Sequence, residues 1–276
     1  MRKILSILSV ATLMFAACDK IEPNENGEYT IYSGSTGVWV DGQAVSNHTQ
    51  RALVEKYTGP KCVNCPTADN IMNGIHERLG EKMVMIAITP RGGDGEPYNG
   101  NPDMSTDDGE QWVAAFGVSA LPRAFLNRDK SYESTGTMSI IEADIENATS
   151  EEAKVAISIA ATNGDKIDID VSLEFLQNVE QELSLTLALT EDSLIYWQAS
   201  TSGLQKEYPH NHMLRDVITD VWGLDIDATG TKGECRKTTI QYTLPENVTP
   251  EKCHIVAFVA DKTTRKVINS AECTLQ

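Results

Sequence analysis

A proline placed directly after two cysteines limits how this chain can fold around them. In Cys62-Val63-Asn64-Cys65-Pro66, the proline is followed by Ala68, Ile71, Met72, Ile75 and Leu79 at helical spacing, and Gly80 stands where a helix would stop. Proline is tolerated in the first turn of a helix, because amides there have no intrahelical partner to lose. The helix is therefore expected to begin near Cys62, with both cysteines on its first turn. Just before it, Arg51 to Thr58 is a strand candidate with Leu53 and Tyr57 on one face, and Gly59-Pro60 breaks it.

A C-x-x-C at a helix start, after a strand, carries chemistry. The first sulfur faces unsatisfied amides and the positive end of the helix dipole, a setting that lowers a thiol pKa from about 8.5 into the range of roughly 3.5 to 7.5. Cys62 is the expected nucleophile, with Lys61 adding positive charge, and Cys65 is placed to resolve a mixed disulfide. Glu55 lies on the strand feeding the motif, where a partly buried carboxylate would relay a proton to Cys65; a sheet-edge glutamate facing water is the competing reading. Leu121-Pro122 precedes another strand, and a cis peptide there would bring backbone beside the disulfide. A zinc half-site is the third reading of the cysteines, but no second pair stands at ligand spacing, so neither a metal nor a cofactor is expected.

The pattern around the motif alternates strand and helix. Met83 to Thr89 is a continuous apolar run, as expected of a strand covered on both faces. Residues 90 to 105 form a loop rich in Gly, Pro, Asp and Asn. A helix is expected from about Thr106 to Gly117, then a strand at Ala124-Phe125-Leu126, then a helix opened by a capping box of Ser139 and Glu142. The order implies an α/β architecture over residues 51–151.

After about residue 152 the period changes to two. Val155 to Ile159 and Ile167 to Leu173 alternate on either side of the turn signal Asn163-Gly164, and Leu183 to Leu189, Thr238 to Thr243, Cys253 to Ala260 and Lys266 to Leu275 add strands. So many short strands predict an all-β sandwich, immunoglobulin-like, over 152–276. Only the segment from about Pro209 to Leu224, with His210 and His212, breaks the pattern.

Arg2-Lys3, an apolar run from Ile4 to Phe15 and Ala16-Ala17-Cys18 read as a lipoprotein signal over 1–17, too short for a spanning helix, with Cys18 as the acylated first mature residue. Residues 18–50 read as a tether, with a short strand at Val38-Trp39-Val40. The formal net charge of -17 becomes -19 once Arg2 and Lys3 are removed, which excludes nucleic acid as a partner. Export places the six cysteines in an oxidising compartment. With Cys18 acylated and Cys62 and Cys65 paired, Cys235, Cys253 and Cys273 remain. A hairpin turning near Thr263 would set Cys253 opposite Cys273 and make that pair the structural disulfide candidate; a bridge through Cys235 is the competitor.

Strand, C-x-x-C, helix, strand, helix, proline, strand resembles the thioredoxin fold. More narrowly, Leu53-Val54-Glu55-Lys56-Tyr57-Thr58-Gly59-Pro60-Lys61-Cys62-Val63-Asn64-Cys65-Pro66 resembles the Omp-twenty-eight-related outer-membrane lipoproteins of Bacteroidetes. So do Phe116-Gly117-Val118-Ser119-Ala120-Leu121-Pro122 and His210-Asn211-His212-Met213-Leu214-Arg215. The resemblance implies Cys62 as attacking thiol, Cys65 as resolving thiol, Pro122 as a substrate-facing cis-proline, and an outer-membrane location. It departs from thioredoxin in Lys61 before the motif, in Val63-Asn64 within it, and in Glu55, which matches a buried acid only if the Gly59-Pro60 loop holds one extra residue. Two functions follow as expectations: thiol-disulfide exchange on exported proteins or peptide thiols, or binding of a surface ligand by an adhesin-like lipoprotein whose C-x-x-C is a structural disulfide.

Overall fold

Six consecutive apolar residues, Met83–Ile88, are buried on both faces only when something packs on each side, and every one of them is buried. The computed structural model describes residues 20–23, 29–32, 38–164 and 166–275. Cys18 and the signal segment 1–17 lie outside the described residues.

Strands β1 (Lys20–Pro23) and β2 (Tyr29–Tyr32) form an antiparallel pair of their own. Next come β3 (Val40–Asp41), β4 (Ala52–Tyr57), helix α1 (Cys65–Leu79), β5 (Met83–Ile88), helix α2 (Asp107–Ala115), β6 (Arg123–Leu126), β7 (Lys130–Tyr132) and the short helices α3 (Thr135–Met138) and α4 (Ile141–Ala148). The remainder is strand: β8 (Val155–Thr162), β9 (Ile167–Phe175), β10 (Leu183–Glu191), β11 (Leu194–Ser200), β12 (Gly203–His210), β13 (Met213–Val217), β14 (Leu224–Asp225), β15 (Cys235–Tyr242), β16 (Cys253–Asp261) and β17 (Val267–Thr274). The fold is β-rich with few helices.

One sheet runs β17-β16-β10-β13-β5-β4-β6-β7, with β14 on β10, and a second runs β3-β15-β9-β8. Strand alternation sorts the core into three parts. Ala52 and Val54 of β4 face Ala68, Met72 and Ile75 of α1, together with Met138, Ile141 and Ile145 of α3 and α4. Leu53 and Tyr57 point the other way, into a cluster with Trp112 of α2 and Val256 and Phe258 of β16. Leu185, Leu187 and Leu189 of β10 and Ile255, Ala257 and Val259 of β16 face Ile157, Ile169, Val171, Leu173 and Ile240 of the second sheet.

Several expectations are corrected. The stretch from Pro209 to Leu224 is not an interruption: it holds β13, which pairs antiparallel with β10 and parallel with β5 at Met213 and Ala87. One sheet therefore crosses the boundary expected at residue 151. The tether expected over 18–50 is anchored at its far end, since β3 pairs with β15, Trp39 is buried, and its indole N–H donates to the Asp225 carbonyl at 2.8 Å. The capping box belongs to Ser134 and Thr137 at the start of α3, while Ile140 precedes α4 without a side-chain cap. Finally, Cys253 and Cys273 are both free, as is Cys235. A turn closed from the Arg265 amide to the Asp261 carbonyl, with a bulge at Val259/Ala260, sets Cys273 opposite Ile255 and Val259 opposite Asn269. That register lies two residues from the one that would oppose the sulfurs, so the cysteines stay on one face as diagonal neighbours, roughly 7–8 Å apart by Cα. Burial pushes the Cys253 thiol up to about 12 and that of Cys273 up to about 11, which keeps both protonated.

Candidate functional site

Cys62 and Cys65 are joined by a disulfide. Helix α1 begins at Cys65 with Asn64 as N-cap and Pro66 in its first turn, so Pro66 marks the helix start while Cys62 sits in the turn before it. The turn is tightly specified. The amide of Cys62 donates to the Gly59 carbonyl at 3.1 Å and that of Lys61 to the Asp94 carbonyl at 2.9 Å. A Cβ on Gly59 would lie 2.3 Å from the Asp94 oxygen, so only glycine lets the 90–105 loop pass this close. Lys61 pairs with Glu96 at 2.6 Å and lies 5.8 Å from the Tyr98 ring centroid. The loop thus wraps one side of the disulfide.

The hairpin β11–β12 wraps another. The carboxamide nitrogen of Gln198, itself buried, donates to the carbonyls of Gly59 at 3.1 Å and Cys62 at 3.0 Å. The Ala199 amide donates to the Pro60 carbonyl at 2.7 Å, and the Tyr208 hydroxyl to Asp69 on α1 at 2.7 Å. Under this cover Cys62 is 2% exposed and Cys65 0%, whereas Val63 between them is 48% exposed.

Glu55 is not beside the cysteines. It shares a strand face with Leu53 and Tyr57, away from α1, and is held by the Arg128 guanidinium at 2.6 and 3.0 Å; both side chains are buried. Arg128 is stacked among aromatic rings, 4.5 Å from Trp112 and 4.7 Å from Phe258. The expected proton relay is corrected by strand parity: Lys56, one residue on, faces α1 instead. Its ammonium meets Asp69 at 2.6 Å, with both side chains at most 10% exposed. Asp69 lies one helical turn beyond Cys65 on the same face of α1. The charged group on this face of β4 is a buried cation with its own carboxylate, and it was legible only as the polar residue of opposite parity to Glu55.

Leu121-Pro122 is cis and Pro122 is buried. Because Arg123 opposes Tyr57 across β6 and β4, continuing the register puts Pro122 opposite Thr58, at the end of the sheet that carries the cysteine turn. His210 and His212 occupy separate settings. His210 is buried against Tyr208, ring centroids 5.1 Å apart, and burial lowers its pKa to about 4. His212 stacks on His76 at 5.5 Å, with burial lowering its pKa, and its amide donates to Asp192 at 2.6 Å. Asp192 also faces His254, whose other ring nitrogen is 2.9 Å from Glu272; bonds to these two carboxylates raise His254 to about 10. Among the described residues no group of three or more His, Cys, Asp or Glu is arranged to hold a metal ion.

A family model described as outer membrane protein Omp28 matches residues 109–275. No curated protein matches the chain. Among solved structures, HBP35 of Porphyromonas gingivalis is similar at a TM-score of 0.64 and 18% identity, over 83% of this chain and 76% of that one. A protein of Agrobacterium tumefaciens is similar at 0.50 and 15% identity, over 83% and 96%. A domain of the outer membrane lipoprotein Omp28 from P. gingivalis aligns at 0.32 and 22% identity, over 45% and 89%. At such identities the first two likenesses speak to the fold alone.

Proposed function

This chain belongs to the Omp28 family of outer membrane proteins, and from that premise we propose that it is a lipid-anchored thiol-disulfide exchange protein acting on exported proteins or peptides. The unit of β4, α1, β5, β6 and β7 reads as thioredoxin-like, and the β-sandwich carries it. The observation that supports exchange most directly is the placement of the Cys62–Cys65 disulfide at the start of α1, with the Lys56 and Asp69 ion pair one turn behind. In the oxidised protein a client thiolate attacks the sulfur of Cys62, a new S–S bond forms, and the electron pair of the old bond leaves on Cys65 as thiolate. A second client thiolate then attacks the mixed disulfide, the client departs oxidised, and Cys62 leaves as thiolate.

Replacing Cys65 by Ser should let the Cys62 thiolate attack a client disulfide, release one client thiolate and stay trapped as the mixed disulfide, and replacing Cys62 should trap none. Equal trapping by both variants, or by neither, removes the exchange reading. The burial of Cys62 and Cys65 favours the second reading, an adhesin-like surface lipoprotein with a structural disulfide. A reduction potential below about -300 mV would select that reading over exchange. Anchoring through an acylated Cys18 predicts that Cys18→Ser moves the protein out of the membrane fraction, and unchanged fractionation would refute it.

A further inference from the structure

The hairpin over the disulfide is attached differently along its length. At its base, Leu194 and His210 are buried, the His212 amide is fixed to Asp192, and the Ser193 amide donates to Asn211 at 2.8 Å. Immediately outside that base, Ser193 and His212 both have left-handed backbones, with φ of 56° and 59°. Along the arm, β12 is exposed from Gly203 to Glu207, and β11 contributes the half-buried Tyr196 and Trp197. The hydrogen bonds that tie the arm to its surroundings run from Gln198 to two carbonyls, from Ala199 to Pro60, from the Trp197 amide to the Asn101 side chain at 3.0 Å and from Tyr208 to Asp69, while Tyr196 packs on the cluster of Met104 and Met213 and Trp197 lies 5.9 Å from the Tyr98 ring. Such bonds exchange readily for other hydrogen bonds, and the outer strand of the arm buries no side chain from Gly203 to Glu207 that would hold it down.

We propose that β11–β12 is an intramolecular cap on the exchange site, and that a client gains access by displacing the arm about its fixed base. This rests on the exchange reading given above and adds its regulation and its substrate class. The acceptors that the arm occupies, the carbonyls of Gly59, Pro60 and Cys62, are main-chain groups. The amides of another extended chain can take them over. The client is therefore an extended, thiol-bearing polypeptide segment rather than a small thiol or a rigid folded surface.

The test follows reduction of the Cys62–Cys65 disulfide in the full chain by dithiothreitol, and separately by an unstructured peptide bearing two thiols. Gln198→Ala removes two of the donors that close the cap onto the turn, and the near-isosteric Tyr208→Phe removes the tie to α1 without a change of shape. A thermal midpoint verifies that each variant is folded. Both should be reduced by dithiothreitol about tenfold faster than the parent protein, the factor implied by losing one or two net hydrogen bonds. The parent protein should react faster with the peptide than with dithiothreitol at equal thiol concentration. Unchanged rates in both folded variants overturn the cap, and parent exchange already as fast as the variants' does so while leaving the exchange reading intact. Faster reduction of the variants by dithiothreitol with no transfer to peptide in any form supports the cap and overturns exchange.

Discussion

Glu55 shows how much one residue of strand parity decides. Its side chain and that of Arg128 are both buried, joined by a bidentate contact and surrounded by Trp112, Phe116 and Phe258. A buried pair of this kind contributes little net stability, but removing one partner leaves an uncompensated charge. Glu55→Gln should therefore lower the unfolding free energy by about 3–5 kcal/mol, read from the denaturant midpoint. It should leave the potential of the Cys62–Cys65 pair unchanged, because the pair sits across the sheet from α1. A shifted potential with unaltered stability would restore Glu55 to the chemistry. Lys56 takes the place that the sequence reading assigned to its neighbour: the face of a strand residue is unambiguous, but which face α1 covers is not written locally.

At the scale of elements, His210 at the end of β12 and His254 on β16, which faces Asp192 at the base of the hairpin, titrate in opposite senses. Burial holds His210 neutral, with its pKa lowered to about 4, so the unfolded chain takes up the proton first as pH falls below about 6.5. His210 accordingly makes the closed form progressively less stable from pH 6.5 down to 4, by at most about 1.4 kcal/mol per unit. His254 behaves in the reverse sense. Bonds to Asp192 and Glu272 raise it to about 10, and the stability it adds is fully present below its unfolded pKa and lost as pH rises from about 6.5 to 10. Thermal midpoints recorded from pH 7 to 4 should fall in the parent protein and fall less steeply in His210→Phe. Identical acid limbs would show that His210 is not the group responsible. Leu194 to His210 was not recognised as a hairpin because its outward strand, Gly203 to Glu207, has no buried face and so no apolar alternation to betray it.

For the molecule as a whole, the decisive strand is β13. It lies between β10 and β5, and its own Leu214 and Val217 share a cluster with Leu53, Val84, Ile86 and Phe258. Strand β10 is buried at all nine positions because the second sheet covers one side and the α2 layer the other. A continuous sheet with a shared core should unfold cooperatively. Calorimetry on residues 19–276 should give one transition, and a fragment comprising 152–276 should fail to show dispersed amide resonances, since it lacks β5 and α2. Two resolved transitions, or a well-folded fragment, would make the halves independent.

What the sequence alone determined is what depends on near neighbours along the chain. Pro66 set the start of α1, the alternation of Ile167 to Leu173 set a half-buried strand, and the apolar run Met83 to Ile88 announced a strand covered on both faces. The family resemblance was legible in the stretches around Pro122 and His210, both of which lie within the matched residues 109–275. Tertiary structure alone decided the pairing of Lys56 with Asp69, the burial of the disulfide beneath Gln198, and the β16–β17 register, set by turn and bulge together, that leaves Cys253 and Cys273 unbonded. It also decided that β13 would join two strand systems into one sheet. The physical reason is shared by three of them: each is a contact between segments distant in sequence, where side-chain period states which face is apolar but not which surface will come to cover it, whereas the hairpin register turned on the geometry of one short turn and a bulge.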